Sequence, residues 1–347
     1  MRTLKQRIFH QALKGDNKME YQRKKIFFII FISVFILSTK SFSYAKQIEL
    51  DYRLKWLFNV SVAGDIYAKS QGYFQEEGLN VNIKEGSPEK NAINELELKY
   101  ADFGVASADQ VIRALDKNAK IIVLAQLFQT NPMQWIYRAD KSKIKTLNDL
   151  KHRKIGITFG GNDEAIMNTL FAMAKIKKDE VDITGVRFDF TPFFQRKVEV
   201  WPVYRNSQGV ILKEKLAREN EQVYFFNPAD FGVNFVANSV ITSKFMYENN
   251  LGLVKRFLKA LLKGWEHAMD PKNEESVLAA VKQLDKSTDD EIRRKQLAVT
   301  RTLIKPSQAI KIGKINTKAW KQTEKILLRE KQIKKLSEKN YLPISLL

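Results

Sequence analysis

The chain has 347 residues, a formal charge of +20 and no cysteine. The missing thiols exclude disulfide staples, thiolate metal sites, a cysteine nucleophile and a lipid-modified N-terminal cysteine. The charge alone would suit a nucleic-acid binder, but nine Lys or Arg against two acids fall within residues 1–45, and a basic patch among the later lysines would need aromatic or base-reading groups beside it.

At the start, Arg23-Lys24-Lys25 precedes an apolar run from Ile26 to Ile32 that continues to Leu37, and the small residues Ser43 and Ala45 follow. A basic flank, a short greasy core and a Ser-x-Ala end make a secretory signal peptide. The core is shorter than the ~20 residues of a spanning helix, so cleavage after Ala45 is expected rather than a retained anchor. Residues 1–18 are polar and unlike a leader, which makes Met19 the expected start. Export without a lipidated cysteine points to a free protein in a Gram-negative periplasm.

From residue 46 onward the apolar period switches between two and 3.6. Ile48, Leu50, Tyr52, Leu54 and Trp56 alternate as a strand, and residues 62–69 follow as a helix closed by Gly72. Gly78 closes the next turn, and Leu79, Val81 and Ile83 alternate again. A helix through Ala92, Ile93, Leu96 and Leu98 leads to a strand over 101–106, then a helix over 109–115. Residues 121–125 are continuously apolar and read as a parallel strand buried on both faces.

A second unit begins after Asn131-Pro132, with strands over 135–137 and 154–158 and a short helix over 147–150 between them. A helix over 164–175 buries Ile166, Met167, Leu170, Phe171 and Ala174, and strands over 198–203 and 223–226 flank a helix over 208–218. After Val240 the chain reads as nearly all helix, with Val254, Phe257, Leu258, Leu261, Leu262, Trp265 and Ala268 in one stripe. Lys311, Lys314, Lys318, Lys321, Lys325 and Lys331 fall at helical spacing and read as a solvated face. The pattern is α/β. It predicts two lobes: residues 46–131 with 240–347 as the first, carrying a helical tail, and 132–239 as the second. Parallel sheets place a ligand at their strand C-termini.

Leu54-x-Trp56-x-x-Asn59 is followed by Gly64-x-x-x-Ala68-Lys69-x-x-Gly72-Tyr73-Phe74-x-x-Glu77-Gly78-Leu79-x-Val81 and by Ala101-Asp102-Phe103-Gly104-Val105. Together these resemble the opening of the periplasmic binding proteins for thiamine-pyrimidine precursors, in a group that also binds taurine, alkylsulfonates and nitrate for ABC importers. Gly160-Gly161-Asn162-Asp163-Glu164, Asp189-x-x-Pro192-Phe193, Pro202-Val203-Tyr204 and Gly264-Trp265-x-x-Ala268 continue the resemblance. It implies a two-lobed, hinged binding protein of the second structural type. The implied partners are a small ligand and an inner-membrane permease, with the binding protein itself a monomer and no nucleic acid involved. A sensing receptor shares all these features.

The candidate ligand residues are Trp56, Asn59, Ser107, Gln126, Gly160, Gly161, Asn162, Asp163, Glu164 and Tyr204, placed at strand C-termini and helix starts. Two glycines before Asn162 let backbone approach a ligand, and the helix start exposes N–H donors. Asp163 and Glu164 make a sulfonate or nitrate costly there and suit an aminopyrimidine donating N–H bonds, stacked on Trp56 or Tyr204. On any helix the same two acids would serve as a cap and a dipole partner. The chain departs from the resemblance at Val62, where a histidine is common, at Lys99-Tyr100, and at Arg205-Asn206. A fungal enzyme of related fold that makes the thiamine pyrimidine uses a histidine and a cysteine-rich segment. With no cysteine, and only His10, His152 and His267, this chain is expected to be neither an enzyme nor a holder of metal or cofactor.

Overall fold

A computed structural model describes residues 47–336 except Phe188, together with Tyr341 and Leu342. The expected leader over 1–45, with its start at Met19, lies outside the described residues. In chain order the strands are β1 (Ile48–Arg53), β2 (Leu79–Lys84), β3 (Phe103–Ala106), β4 (Ile121–Gln126), β5 (Met133–Arg138), β6 (Lys154–Ile157), β7 (Asp182–Gly185), β8 (Trp201–Tyr204), β9 (Val223–Phe226) and β10 (Ser239–Ser243). The longer helices are α1 (Ala63–Ser70), α2 (Ala92–Glu97), α3 (Ala108–Asp116), α4 (Asn162–Ala174), α5 (Gln208–Arg218), α6 (Leu251–Met269), α7 (Glu274–Leu284), α8 (Asp290–Ile304) and α9 (Thr317–Arg329). Among the described residues no helix is long and apolar enough to cross a membrane.

The first lobe is built on a sheet ordered β2-β1-β3-β10-β4, in which β1 runs parallel to β2 and β3, and β10 runs antiparallel to both β3 and β4. The second is built on β8-β5-β9, all antiparallel, beside the parallel pair β6-β7. The Gly156 N–H donates to Val200 O at 2.9 Å and ties β6 to the segment entering β8. The chain therefore passes between the sheets twice, over 127–132 and 227–238.

Two strand expectations change. Residues 121–125 are buried throughout, as their apolar run requires, but β4 pairs antiparallel with β10 rather than lying parallel to a neighbour. An unbroken apolar run reports burial on both faces and carries no information on strand direction. The stretch after Val240 is also not nearly all helix, because Ser239–Ser243 forms the strand between β3 and β4. Its hydroxyls hid it from the hydrophobic pattern: Thr242 Oγ1 donates to Asp102 O at 2.7 Å, and Ser239 Oγ donates to Ala237 O at 3.1 Å.

The α6 stripe is buried as its spacing predicts and closes the first lobe against α1. The two helices meet at glycine. A Cβ on Gly64 would stand 2.1 Å from the Trp265 ring, and one on Gly264 would stand 2.6 Å from the Gly64 carbonyl oxygen. Beneath this crossing Phe103 stacks on Phe257 with ring centroids 3.8 Å apart, and Tyr52 donates to Asp65 Oδ1 at 2.6 Å.

The C-terminal helices are more than a tail on the first lobe. Helix α8 touches both lobes: Gln296 Nε2 donates to Ser207 O at 3.2 Å, and Lys295 pairs with Glu214 on α5 at 2.9 Å. Asn206, fully buried, donates from Nδ2 to Ser61 Oγ at 3.1 Å and to Thr300 Oγ1 at 2.8 Å, so one amide joins the first lobe, the second lobe and α8. Past α9, Gln332 Nε2 donates to Thr169 Oγ1 on α4 at 2.8 Å.

Candidate ligand cleft

A cleft of about 600 Å³ lies between the lobes. Its walls are loops that leave strand C-termini: residues 55–62 after β1, 158–161 after β6 and the turn that follows β8. The placement after the parallel strands β1 and β6 agrees with the sheet rule for ligand sites.

Lys55 leaves β1 and crosses the cleft. Its Nζ donates to Asn162 Oδ1 at 2.9 Å and to the Tyr204 hydroxyl at 2.8 Å, which in turn donates to Asn238 Oδ1 at 3.2 Å. Burial pulls the Lys55 pKa down to about 8, while the carboxylates of Asp109 and Asp163 oppose that fall. Burial also pushes the Tyr204 hydroxyl well above its ordinary value.

Asn162 opens α4 and is 4 % exposed. An ammonium can only donate, so its bond to Oδ1 fixes which end of the amide faces Lys55. The Asn162 Nδ2 donor is left buried without a partner among the described residues. Leaving such a group unmatched costs about 1–3 kcal/mol, which a ligand acceptor would recover.

The two acids beside it face their own loop. Asp163 Oδ2 accepts from Thr158 N at 2.6 Å, and Glu164 Oε2 accepts from Gly160 N at 2.8 Å. Burial raises the Asp163 carboxyl from 3.8 to about 6. Of the two roles open in the sequence, the helix-start role is the one built here, and the N–H donors expected to meet Asp163 and Glu164 come from backbone. The glycines make the turn possible: Gly160 has φ of 80°, and a Cβ on Gly161 would stand 2.8 Å from Thr158 O.

Trp56, Asn59, Gly160, Gly161, Asn162, Asp163 and Tyr204 come together on the cleft wall. Asn59 also caps a turn, its Oδ1 accepting from Ser61 N at 2.7 Å. Ser107, Gln126 and Glu164 lie off the wall. Ser107 is buried and closes a capping box with Gln110 at the start of α3. Gln126 donates to Phe128 O at 3.1 Å and accepts from Asn316 N at 3.0 Å, tying β4 to the C-terminal segment. Lys55 escaped notice in the sequence, although a lysine between Leu54 and Trp56 at the end of a buried strand was a usable signal.

Comparison with known proteins gives similarity over much of the chain. A Haemophilus influenzae protein named for thiamine biosynthesis is 25% identical over 197 residues, 55% of this chain and 60% of that protein. The formylaminopyrimidine-binding protein of Halalkalibacterium halodurans is 24% identical over 228 residues, 65% of this chain and 68% of its own. The chain thus spans about 60% of the length of the first curated relative it matches. Among solved structures, the alkanesulfonate-binding protein SsuA from Xanthomonas axonopodis pv. citri, bound to MOPS, superposes with a TM-score of 0.64 at 12% identity, covering 86% of this chain and 99% of that one. A desulfurization enzyme shares the fold at a TM-score of 0.56 and 11% identity, covering 86% and 97% of the two chains, so the fold by itself does not separate binding from catalysis. The fold is that of the type II periplasmic binding proteins, and since the model of the NMT1/THI5 like family matches residues 59–274, the chain belongs to that family.

Proposed function

We propose that the protein is the periplasmic solute-binding component of an ABC importer, and that it captures a thiamine-precursor pyrimidine or a similar flat heterocycle by closing its lobes. One observation carries this reading: Lys55 from the first lobe meets Asn162 and Tyr204 from the second on the cleft wall, with Asn162 Nδ2 unmatched. A ligand that bonds to both lobes binds the closed form better than the open one and shifts the population toward it. The closed form is then what a permease recognises.

The groups presented also say how the ring is held. Lys55 Nζ and Asn162 Nδ2 are donors, so the ligand side is an acceptor, such as a pyrimidine ring nitrogen or a formyl oxygen. Trp56 offers an aromatic face on the same wall. The name of the Halalkalibacterium relative supports a formylated aminopyrimidine. A sulfonate is the second reading, favoured by Lys55 and by Arg113, which lines the same cleft and pairs with Asp109 at 3.1 Å, and opposed by the carboxylates of Asp109 and Asp163 close enough to act on Lys55. Thermal shift against formylaminopyrimidine, taurine and nitrate separates them, because a ligand that binds only the folded state raises the midpoint. A rise with the pyrimidine supports the proposal. A rise with taurine alone overturns it.

A further inference from the structure

The cleft is larger than one small ring requires. Its volume of about 600 Å³ falls within the ~300–1,000 Å³ range of pockets that enclose drug-sized ligands. Away from Lys55, the wall continues past Ser61 and Ser207 to Asp285, Thr288 and Gln296, where the loop before α8 and α8 itself close it.

The polarity of that end is opposite to the polarity at Lys55. Gln296 is fully buried, and its Nε2 donates to Ser207 O, a group that can only accept. Its amide orientation is therefore fixed, and Oε1 is left as a buried acceptor without a partner among the described residues. Asp285, 8 % exposed, accepts at Oδ1 from Ser287 Oγ at 3.2 Å and Thr288 N at 3.3 Å, while its Oδ2 is also unmatched. Two residues with a buried unmatched acceptor thus line one end of the cleft, and a residue with an unmatched donor lines the other.

We propose that the α8 end of the cleft is a second subsite, which takes a hydroxyl-bearing arm attached to the flat ring held near Lys55. It rests on the cleft being the ligand site. Hydroxyls donate to Gln296 Oε1 and Asp285 Oδ2, and they accept from the serine and threonine hydroxyls on the same wall. An ammonium would supply donors as well, and the probes below separate the two. The Arg293 guanidinium, 1 % exposed, donates to Asp285 O at 2.8 Å and to Thr288 O at 2.5 Å, immediately behind the subsite. That guanidinium is itself paired with Asp290, so its charge does not select between a hydroxyl and an ammonium.

Matched flavin probes test the arm directly: riboflavin carries a ribityl chain, lumiflavin has the same ring with a methyl group, and an aminopropyl flavin replaces the hydroxyls with an amine. Fluorescence titration of the full protein should show riboflavin binding about tenfold or more tighter than lumiflavin, as expected for two recovered hydrogen bonds. Gln296→Met and Asp285→Ala should each erode that ratio while leaving lumiflavin within about twofold of wild type, the tolerance of a group that touches only the arm. The wild-type ratio needs no variant to fold. Equal affinity for riboflavin and lumiflavin overturns the arm subsite, as does tighter binding of the aminopropyl flavin or an equal loss of both ligands in Gln296→Met. Binding of formylaminopyrimidine with no binding of either flavin overturns the arm and spares the cleft. Failure of all these probes overturns both.

Discussion

The Lys55 ammonium, carried by the first lobe, donates to the Tyr204 hydroxyl of the second at 2.8 Å. The same nitrogen holds Asn162 at 2.9 Å, so a single side chain links the two walls of the cleft and fixes the amide that faces a ligand. Under the proposed function, closure and recognition are joined at one residue.

Lys55→Met keeps an apolar stem of similar reach and removes the charge. Hydrogen bonds to charged groups contribute about 1.5–3 kcal/mol, so affinity for a ring acceptor should fall roughly tenfold to hundredfold. The melting point should change little, because the variant also removes the cost of burying a cation. Calorimetric titration reads the first and a thermal melt the second. Unchanged affinity would take Lys55 out of the site.

Ligand affinity should depend on pH through the same nitrogen. With its pKa pulled down to about 8, the ammonium is present at pH 6 and lost as pH rises through 8. Affinity should be flat below about pH 7 and decline above 8, and Lys55→Met should abolish the decline. A decline of equal size in the variant would assign it to another group.

Stability should also fall as pH rises, but in a lower window set by the buried acids. Burial raises Asp65 from 3.8 to about 7 and Asp163 from 3.8 to about 6. A raised acid makes the folded state bind more protons than the unfolded one between about pH 4 and those values, so stability falls across that window as pH increases. Asp65→Asn preserves an acceptor for the Tyr52 hydroxyl and removes the charge. Its melting point should exceed that of wild type at pH 8 and converge with it near pH 4. A constant offset across the range would show that Asp65 does not titrate there.

Gly264→Ala should be severe for one added methyl. Its Cβ would stand 2.6 Å from a backbone oxygen and 2.4 Å from the Ala68 Cβ, and neither atom can swing aside. Overpacking of this kind costs about 1–3 kcal/mol or more. A chemical denaturation curve should show the loss; a wild-type midpoint would mean that α1 and α6 separate easily.

Asn206→Ala removes the amide shared by Ser61 and Thr300. Buried hydroxyls stripped of a partner cost about 1–3 kcal/mol. Because Asn206 joins both lobes to α8, small-angle scattering should also report a larger radius of gyration for the unliganded variant. A destabilised variant with an unchanged radius would confine Asn206 to a packing role.

Much of the scaffold was legible in the sequence. The alternation through Leu50, Tyr52 and Leu54 and the α6 stripe from Val254 to Ala268 reflect burial on one face, which periodicity reports directly. Strand β10 was lost because a five-residue segment buries as much hydroxyl as hydrocarbon. On the cleft wall, the loop from Gly160 to Asp163 was found because glycines before a helix start are a local signal. Lys55 was missed, and so were Gln296 and Asp285, because what marks them is an unmatched atom or a bond across lobes, and those contacts join residues far apart in the chain. Ser107 and Gln126 sit at strand ends as ligand residues do, yet both hold secondary structure together.

The most direct test is calorimetric titration of formylaminopyrimidine into the wild-type protein and into Asn162→Ala, whose lost amide supplies the unmatched donor of the cleft. Saturable binding by wild type that weakens at least about tenfold in the variant, with both proteins melting within a few degrees of each other, is the predicted result. Equal affinity in the two proteins, or no binding by wild type, would contradict a pyrimidine held between Lys55 and Asn162.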